Sequence, residues 1–510
     1  MMEYSPVIGL EIHAQLLTRS KLFCACATTG DDAPNSRTCP ECLGHPGALP
    51  VLNAEAVRMA IRAGTALGCT LHPDSRFARK HYFYPDLPKG YQITQYDRPI
   101  GTGGALRFRM PDGNIAHAAI QRIHLEEDAG KLIHTETDAR ADDNRCGTPL
   151  LEIVTYPVFI SPEAAVAFLQ ELRRMLMYIG ICDGSMEHAS LRCDANVSLR
   201  DTANAPGQRT EIKNLNSFRH IEHALHWEID RQRTVLASGG TVEAVTLLWD
   251  ENANAGSIMR GKESAADYHY VDDLDLPELV ITTEEIESVV ATLPELPLAR
   301  AERLVQEHGL SHYDADVLTA DRMMVDFFEE LLRCLPADRR AALTKSAVHW
   351  INGELLAAMK NQACGTIPVD AARLAHLLER IDDGSISHSA AKLVFENMCG
   401  SSQDADALIA ELGLLQVSDE TTLRALAEDI LEAHPAEVHA FQNGKQGLLG
   451  FFIQRMMEQS QGKADPRRSS AILRDLLAGA GDQEMKEATA RRSEQEGSER
   501  SARAGEGDSP

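Results

Sequence analysis

Residues 190–200 combine, in strict alternation, side chains that bind metal ions and phosphates. In Ser-Leu-Arg-Cys-Asp-Ala-Asn-Val-Ser-Leu-Arg the polar positions inside the segment are Arg192, Asp194, Asn196, Ser198 and Arg200. Successive side chains of a strand point to opposite faces, so these residues share one face and the apolar residues share the other. A solvated outer face would produce the same alternation. On this strand alone, both interpretations stay open.

Two upstream segments, residues 7–17 and 120–126, show the same alternation. Each places three polar side chains on one face, namely Glu11, His13 and Gln15 in the first and Arg122, His124 and Glu126 in the second. A single histidine in a strand is more often a structural group than a ligand. Three such strands together predict one sheet with a functional polar face.

Four of the eleven cysteines lie in one short loop region, as Cys24-Ala25-Cys26 and Cys39-Pro40-Glu41-Cys42. Four thiolates from two tight turns can surround a tetrahedral Zn²⁺ and fill every position, which is typical of a structural site. The alternative is a set of free thiols. The clustering favours zinc held by Cys24, Cys26, Cys39 and Cys42. His45 could replace one of these ligands but is not needed.

The sequence has no phosphate-binding loop of the Walker type, because Gly130-Lys131 is followed by Leu132. If the protein uses ATP, carboxylates that hold Mg²⁺ are one way to bind the phosphates. Lys213 and Asn214 lie where a predicted strand meets a predicted helix, a natural anion site. A plain helix cap explains that segment equally well. The candidate metal ligands are Glu11, His13, Glu126, Glu127, Glu152 and Asp194.

Aromatic residues are concentrated between Tyr82 and Tyr91, in Tyr-Phe-Tyr-Pro-Asp-Leu-Pro-Lys-Gly-Tyr, although they make up only 5% of the chain. These rings are suited to stacking on an adenine or a terminal nucleotide. A proline-braced loop that packs its own rings is the simpler interpretation.

The composition is that of a globular protein, with 44% hydrophobic and 25% charged residues. No apolar run is long enough to span a bilayer, and the first residues lack the features of a signal peptide, so we expect a cytoplasmic protein with reduced cysteines. The formal net charge of −26 argues against a generally basic nucleic-acid surface and leaves room for a local basic patch.

The 510 residues predict about three domains. Alternating strands and capped helices predict an α+β domain over residues 1–297, with a mostly antiparallel sheet. Amphipathic helices predict all-α domains over residues 298–400 and 401–480. Residues 481–510 are rich in Glu, Arg, Ser and Gly and are predicted to form a disordered acidic tail.

Several long segments, in order, resemble the B-subunit family of the tRNA-dependent aspartyl/glutamyl amidotransferases. The resemblance extends to about residue 477. It also includes Leu248-Trp249-Asp250-Glu251. The main segments are Val-Ile-Gly-Leu-Glu-Ile-His at 7–13, the loop 82–91, His-Leu-Glu-Glu-Asp-Ala-Gly-Lys at 124–131, Leu-Leu-Glu-Ile-Val at 150–154, Arg-Cys-Asp-Ala-Asn-Val-Ser at 192–198 and Glu-Ile-Lys-Asn-Leu-Asn-Ser-Phe-Arg at 211–219.

The resemblance implies a ligase that converts Glu on tRNA(Gln), or Asp on tRNA(Asn), into the amide. It implies phosphorylation of the carboxylate by ATP and Mg²⁺, followed by attack of ammonia. It further implies two partners, an amidase-type glutaminase and a small third subunit that braces the pair. For this chain it implies a cradle-shaped catalytic domain with structural Zn²⁺ and a tail domain that binds tRNA. The absence of an inserted synthetase-like domain favours the bacterial heterotrimer.

The resemblance also assigns residues. Glu11, His13, Glu126 and Asp194 are the expected catalytic residues and Mg²⁺ ligands, with Glu127 and Glu152 as second choices. The expected nucleotide contacts are Lys89, Asn196, Lys213 and Asn214. Four positions depart from the family pattern, namely Cys146, Leu248, His269 and Val271. Leu248 replaces a usual Arg, which puts nucleotide or tRNA contacts there in doubt.

Two other functions compete with this one. The first is a zinc-stabilised tRNA-binding subunit without chemistry, for which carboxylates such as Glu11 and Asp194 have no use. The second is a free-standing amide ligase for a small acid, which would not need the long helical region.

Overall fold

The computed structural model describes residues 4–30, 33–135, 137–201, 207–261, 268–362, 366–415, 419–460 and 463–478. The chain divides into two compact units after Leu304. The predicted disordered tail, residues 481–510, lies outside the described residues. None of the helices in the described ranges has the length and apolar character needed to cross a membrane.

The first unit is built on a ten-stranded sheet with the strand order β15-β14-β13-β12-β1-β11-β8-β6-β2, and β7 also pairs with β8. Among the described strands of this sheet, β13 and β14 run parallel and the other neighbours run antiparallel. The predicted fold class, α+β with a mostly antiparallel sheet, is therefore confirmed. The strands are β1 (Tyr4–Gln15), β2 (Thr70–Leu71), β3 (Asp74–Ser75), β4 (Ala78–His81), β5 (Tyr91–Thr94), β6 (Gly101–Thr102), β7 (Ala105–Arg109), β8 (Ile115–Glu127), β9 (Lys131–His134), β10 (Ala139–Asp142), β11 (Pro149–Thr155), β12 (Leu191–Asp201), β13 (Thr210–Leu215), β14 (Val245–Asp250), β15 (Ala255–Gly261), β16 (His269–Asp272) and β17 (Leu279–Val280).

One face of the large sheet is apolar and is covered by helices. Alternate residues of β12, from Leu191 to Leu199, are at most 3% exposed and belong to the same core as the inward residues of β1. Removing this apolar surface from water is the main driving force that fixes which way each strand faces. The helices around the sheet are α1 (Ala54–Ala66), α2 (Pro162–Tyr178), α3 (Phe218–Ala237), α4 (Thr283–Val290) and α5 (Pro297–His308).

The helices begin where polar caps precede them. Asn53 accepts from the backbone N–H groups of Glu55 and Ala56 at the start of α1. Ser161 caps α2 ahead of Pro162, and Ser217 caps α3. These side chains satisfy N–H groups that have no partner within the helix, so the helix starts follow directly from the sequence.

The second unit is helical in all its described parts. Helices α7, α8, α10, α11 and α12 pack against one another, whereas α13, α14 and α15 surround a separate core that includes Leu423, Phe452, Met456 and Leu473. Domain boundaries within this unit stay a prediction. Its helices are α6 (His312–Leu318), α7 (Arg322–Cys334), α8 (Arg340–Trp350), a π-helical turn at Ile351–Leu355, α9 (Leu356–Gln362), α10 (Ala371–Asp382), α11 (His388–Cys399), α12 (Ala405–Glu411), α13 (Glu420–Ala433), α14 (Pro435–Gln442), α15 (Leu448–Gln459) and residues 466–478.

Candidate active site

The register of four adjacent strands brings the predicted polar residues into one row. His13 on β1 lies opposite Glu152 on β11 and opposite Arg192 on β12. Glu152 in turn lies opposite His124 on β8. Directly opposed residues of paired strands share a face and lie within contact distance. We call the face that carries Glu11, His13, His124, Glu126, Glu152, Arg192, Asp194 and Asn196 the polar face.

Two imidazoles and three carboxylates meet at the centre of the polar face. His13 Nε2 lies 3.3 Å from Glu152 Oε2, 3.4 Å from Glu126 Oε1 and 3.8 Å from Glu11 Oε1. His124 Nε2 lies 3.3 Å from Glu152 Oε2 and 3.6 Å from Glu126 Oε2. Glu152 is therefore shared by both histidines.

The mutual contacts shift the pKa values of these groups. Burial acts to lower the pKa of both histidines, but the neighbouring carboxylates, above all Glu152, outweigh it and raise each pKa to about 9. Burial likewise acts to raise the pKa of Glu152, and the two histidines hold it well below its usual value. For Glu11, burial and then the charge of Glu152 raise the pKa to about 7.

These residues offer metal ligands in two overlapping groups. One consists of Glu11, His13 and Glu152, and the other of His124, Glu126 and Glu152, with the ligand atoms of each group within 4.8 Å of one another. Carboxylate oxygens with an imidazole suit a divalent cation, so the donor set fits the predicted metal. His124 was predicted to lie on this face but not to be a ligand. Its position between Arg122 and Glu126 in the alternation was the available signal.

Asp194 lies beside this centre and is paired with a cation. It is opposite Glu11 in register, and its Oδ2 accepts a hydrogen bond from Lys213 Nζ at 2.7 Å. Burial acts to lower the pKa of Lys213, but the negative charges of Asp194 and Glu211 outweigh that effect, so the pKa is raised. Asp194 thus fixes a permanent cation at the edge of the polar face. Its role as a metal ligand stays a prediction.

A cleft of about 640 Å³ runs over this part of the sheet. Its lining combines four cations with amide, hydroxyl and carboxylate groups, an arrangement suited to a polyanion held near a metal. Asn196 and Lys213 line the cleft, whereas Asn214 has a φ of 67° and donates to the Trp249 carbonyl at 2.9 Å. The polar lining side chains include Glu11, Lys80, Arg122, Asn196, Ser198, Arg209, Glu211 and Lys213.

Glu127 and Lys89 form a separate buried pair. Glu127 follows Glu126 on β8, so it points away from the polar face. Its Oε1 accepts from Lys89 Nζ and, at 2.9 Å, from the Ile93 N–H, and the Lys89 side chain is only 4% exposed. Burial acts to lower the pKa of Lys89, but the charge of Glu127 and its hydrogen bond outweigh burial and raise that pKa. Nucleotide binding by Lys89 stays a prediction.

The aromatic loop predicted between Tyr82 and Tyr91 joins β4 to β5. Its rings and their neighbours interact with cations, since Lys80 Nζ lies 5.8 Å from the Tyr82 ring centre and 4.9 Å from that of Tyr268. Phe83 is 97% exposed. The loop therefore combines rings that already pack with cations and one ring that is open to solvent.

The four predicted zinc cysteines come together. Their Sγ atoms lie within 4.8 Å of one another, and those of Cys39 and Cys42 are 3.8 Å apart. At a Zn–S distance of about 2.3 Å, two sulfurs of a regular tetrahedron lie about 3.8 Å apart, so the cluster fits zinc. The pKa of Cys42 is lowered to about 5. A hydrogen bond from Cys24 has the largest effect, and together with the hydrogen bond from the Cys39 N–H and the charge of Lys21 it outweighs burial, which acts to raise the pKa.

Comparisons with known proteins identify the family of this chain. The family described as the GatB/GatE catalytic domain matches residues 6–287, and the GatB domain matches residues 326–477. The B subunit of the aspartyl/glutamyl-tRNA(Asn/Gln) amidotransferase of Geobacter sulfurreducens is 47% identical over 94% of this chain and all of its own length. The corresponding protein of Syntrophotalea carbinolica is 45% identical over 93% of this chain and 99% of its own.

The chain belongs to the B-subunit family of aspartyl/glutamyl-tRNA(Asn/Gln) amidotransferases. The resemblance inferred from the sequence is confirmed, and the enzyme class is that of a glutamine-hydrolysing ligase component. The family match to the first unit spans the whole polar face and the cysteine cluster. Among the departures from the family pattern, Leu248 lies on β14 opposite Lys213, at the edge of the polar face.

Proposed function

We propose that this chain catalyses the ATP-dependent amidation of Glu-tRNA(Gln), of Asp-tRNA(Asn), or of both. The carboxylate oxygen of the tRNA-bound residue attacks the γ-phosphorus of ATP, and ADP leaves. Ammonia then attacks the carbonyl carbon of the acyl phosphate, loses a proton, and displaces inorganic phosphate. The products are Gln-tRNA(Gln) or Asn-tRNA(Asn).

One observation carries this proposal, namely that Glu11, Glu126 and Glu152 converge with two histidines beside a cation-lined cleft. A Mg²⁺ bound by these carboxylates and His13 would neutralise charge on the transferring phosphoryl group. Lys213, held by Asp194, is positioned to contact a phosphate in the cleft. The sheet keeps these groups fixed, which favours a reaction that depends on positioning.

The remaining assignments follow the family. Glu11, His13, Glu126 and Asp194 are the proposed catalytic residues, and Asn196 and Lys213 are the nucleotide contacts with the best geometric support. We further propose structural Zn²⁺ in the cysteine cluster, ammonia from an amidase-type glutaminase partner that a small third subunit holds in a heterotrimer, tRNA binding by residues 401–480, and a cytoplasmic location.

The decisive experiment uses the assembled complex with [γ-³²P]ATP, Mg²⁺ and each misacylated tRNA in turn. Ammonium chloride replaces glutamine, so the assay reports on this chain rather than on its partner. Glu126→Gln and Asp194→Asn are each expected to lower phosphate transfer and amide formation at least about a hundredfold, as is usual when a group that stabilises transition-state charge is removed. Binding of tRNA should be unchanged.

Glu55→Gln serves as the matched control, since Glu55 is an exposed carboxylate on α1 that is bonded to Arg58. Its activity should equal that of the wild type. Amide formation at the wild-type rate by either active-site variant would contradict the proposal, and a wild-type complex that binds tRNA without consuming ATP would favour the tRNA-binding alternative.

A further inference from the structure

Lys21 is a completely buried lysine beside the cysteine cluster. It lies at 0% exposure, three residues before Cys24 in the chain. Its ammonium makes two hydrogen bonds, to the main-chain carbonyl of Asp143 at 3.2 Å and to Cys42 Sγ at 3.6 Å. A buried cation is strongly unfavourable unless an anion accompanies it.

The anion bonded to Lys21 is a cluster sulfur. In the part of the chain that the structure describes, no carboxylate oxygen lies within 4.0 Å of Lys21 Nζ. Cys42 is also the most buried of the four cysteines, at 4% exposure, so water screens its charge least. Its Sγ accepts a second hydrogen bond from the Cys39 N–H at 3.2 Å.

We propose that Lys21 is the charge partner of the zinc site. Four thiolates around Zn²⁺ carry a net charge of −2, and the Lys21 ammonium reduces it to −1 at the sulfur that lies deepest in the protein. The residue thus positions and stabilises the thiolate of Cys42 without binding the metal. This inference rests on the zinc site of the proposed function.

Lys21→Met tests the inference, because methionine retains the apolar stem and removes the charge. Zinc affinity, measured by competition with a chromophoric chelator on the full chain, should fall at least about tenfold, the usual effect of losing a hydrogen bond to a charged group. In the Co²⁺-substituted protein, the thiolate-to-metal absorption band should move to lower energy because Cys42 becomes more electron-rich.

Three variants complete the design. Lys21→Arg retains the charge and should bind zinc more tightly than Lys21→Met. Lys21→Gln retains a donor and loses the charge, so it should also bind zinc more weakly than wild type, and it decides the question if the methionine protein does not accumulate. Lys392→Met removes a lysine of the second unit, paired with Glu354 rather than with a cysteine, and should leave zinc affinity unchanged.

Two failures are distinguishable. If the wild-type chain contains no zinc and binds none, the zinc site itself is wrong. If the wild type binds one zinc while Lys21→Met and Lys21→Gln match its affinity and its Co²⁺ spectrum, the zinc site stands and Lys21 serves only to support the backbone at Asp143.

Discussion

Glu152 is the residue on which the centre of the polar face depends. Its Oε2 lies 3.3 Å from the Nε2 atoms of both His13 and His124, so a single carboxylate oxygen faces two imidazoles. The alternation in the sequence identified the faces of β1, β8 and β12. It did not identify Glu152 as central, because that depends on the register with which β11 lies between β1 and β8.

The protonation of Glu11 should make the affinity of the proposed metal site depend on pH. Its pKa in the metal-free protein is raised to about 7, so the folded protein holds this proton at pH 6 and has largely released it at pH 8. A divalent cation that binds this carboxylate must displace the proton. Affinity for Mn²⁺, measured by electron paramagnetic resonance, should therefore fall by an additional factor of about ten per pH unit below pH 7.

Glu11→Gln has no carboxyl proton to displace, so its Mn²⁺ affinity should be lower but should lose this additional dependence below pH 7. Glu55→Gln should reproduce the wild-type profile. Parallel pH profiles for the wild type and Glu11→Gln would show that metal binding does not displace a proton from Glu11.

At the scale of elements, the turn between β6 and β7 shows how closely α1 approaches the sheet. Gly104 has a φ of +92°, and a Cβ atom there would lie 2.5 Å from the Leu67 carbonyl oxygen and 2.9 Å from the Cys69 N. Both contacts are with backbone atoms, which cannot rotate away. Gly103, with a φ of +70°, has nothing within 4 Å of its Cβ position.

Gly104→Ala should therefore destabilise the protein more than Gly103→Ala. The second substitution incurs only the strain of a left-handed backbone, about 1 kcal/mol, whereas the first adds an overpacking cost of about 1–3 kcal/mol. Urea denaturation followed by circular dichroism measures the difference. Equal midpoints for the two variants would mean that the end of α1 moves away from β7 at little cost.

The elements themselves were largely predictable. Alternation of the inward residues fixes β1, β8 and β12, and polar caps such as Asn53 and Ser161 fix helix starts, because both signals are local. The parallel pairing of β13 with β14 was not predictable, because it depends on the crossover through α3. The bond from Lys21 to Cys42 had no sequence signal, since lysine is normally an exposed residue.

At the scale of the whole molecule, a net charge of −26 coexists with proposed binding of a polyanion. The cations of the cleft are local, and tRNA contacts must be concentrated where basic residues cluster. The bundle of α13, α14 and α15 has its own core. It can therefore be removed by truncation without removing any residue of the polar face.

A chain that ends at residue 415 should retain metal binding and lose tRNA affinity. In the assembled complex, KM for the misacylated tRNA should rise at least about tenfold through lost phosphate contacts, while kcat changes little. Steady-state kinetics at several tRNA concentrations separate the two.

A chain that ends at residue 478 is the control, because it removes only residues beyond the family match. Its KM should equal that of the full chain. An unchanged KM for the chain ending at 415 would assign tRNA binding to other parts of the molecule.

The central position of β1 has a consequence for synthesis on the ribosome. The strand precedes every other strand of this sheet in the chain, yet its two neighbours are Pro149–Thr155 and Leu191–Asp201. Until those segments are made, both edges of β1 have no hydrogen-bonding partner from this sheet. Pairings between such distant segments slow folding and leave strand edges exposed to aggregation. The nascent chain should therefore need chaperone protection from the synthesis of β1 until that of β12, the strand that completes the polar face.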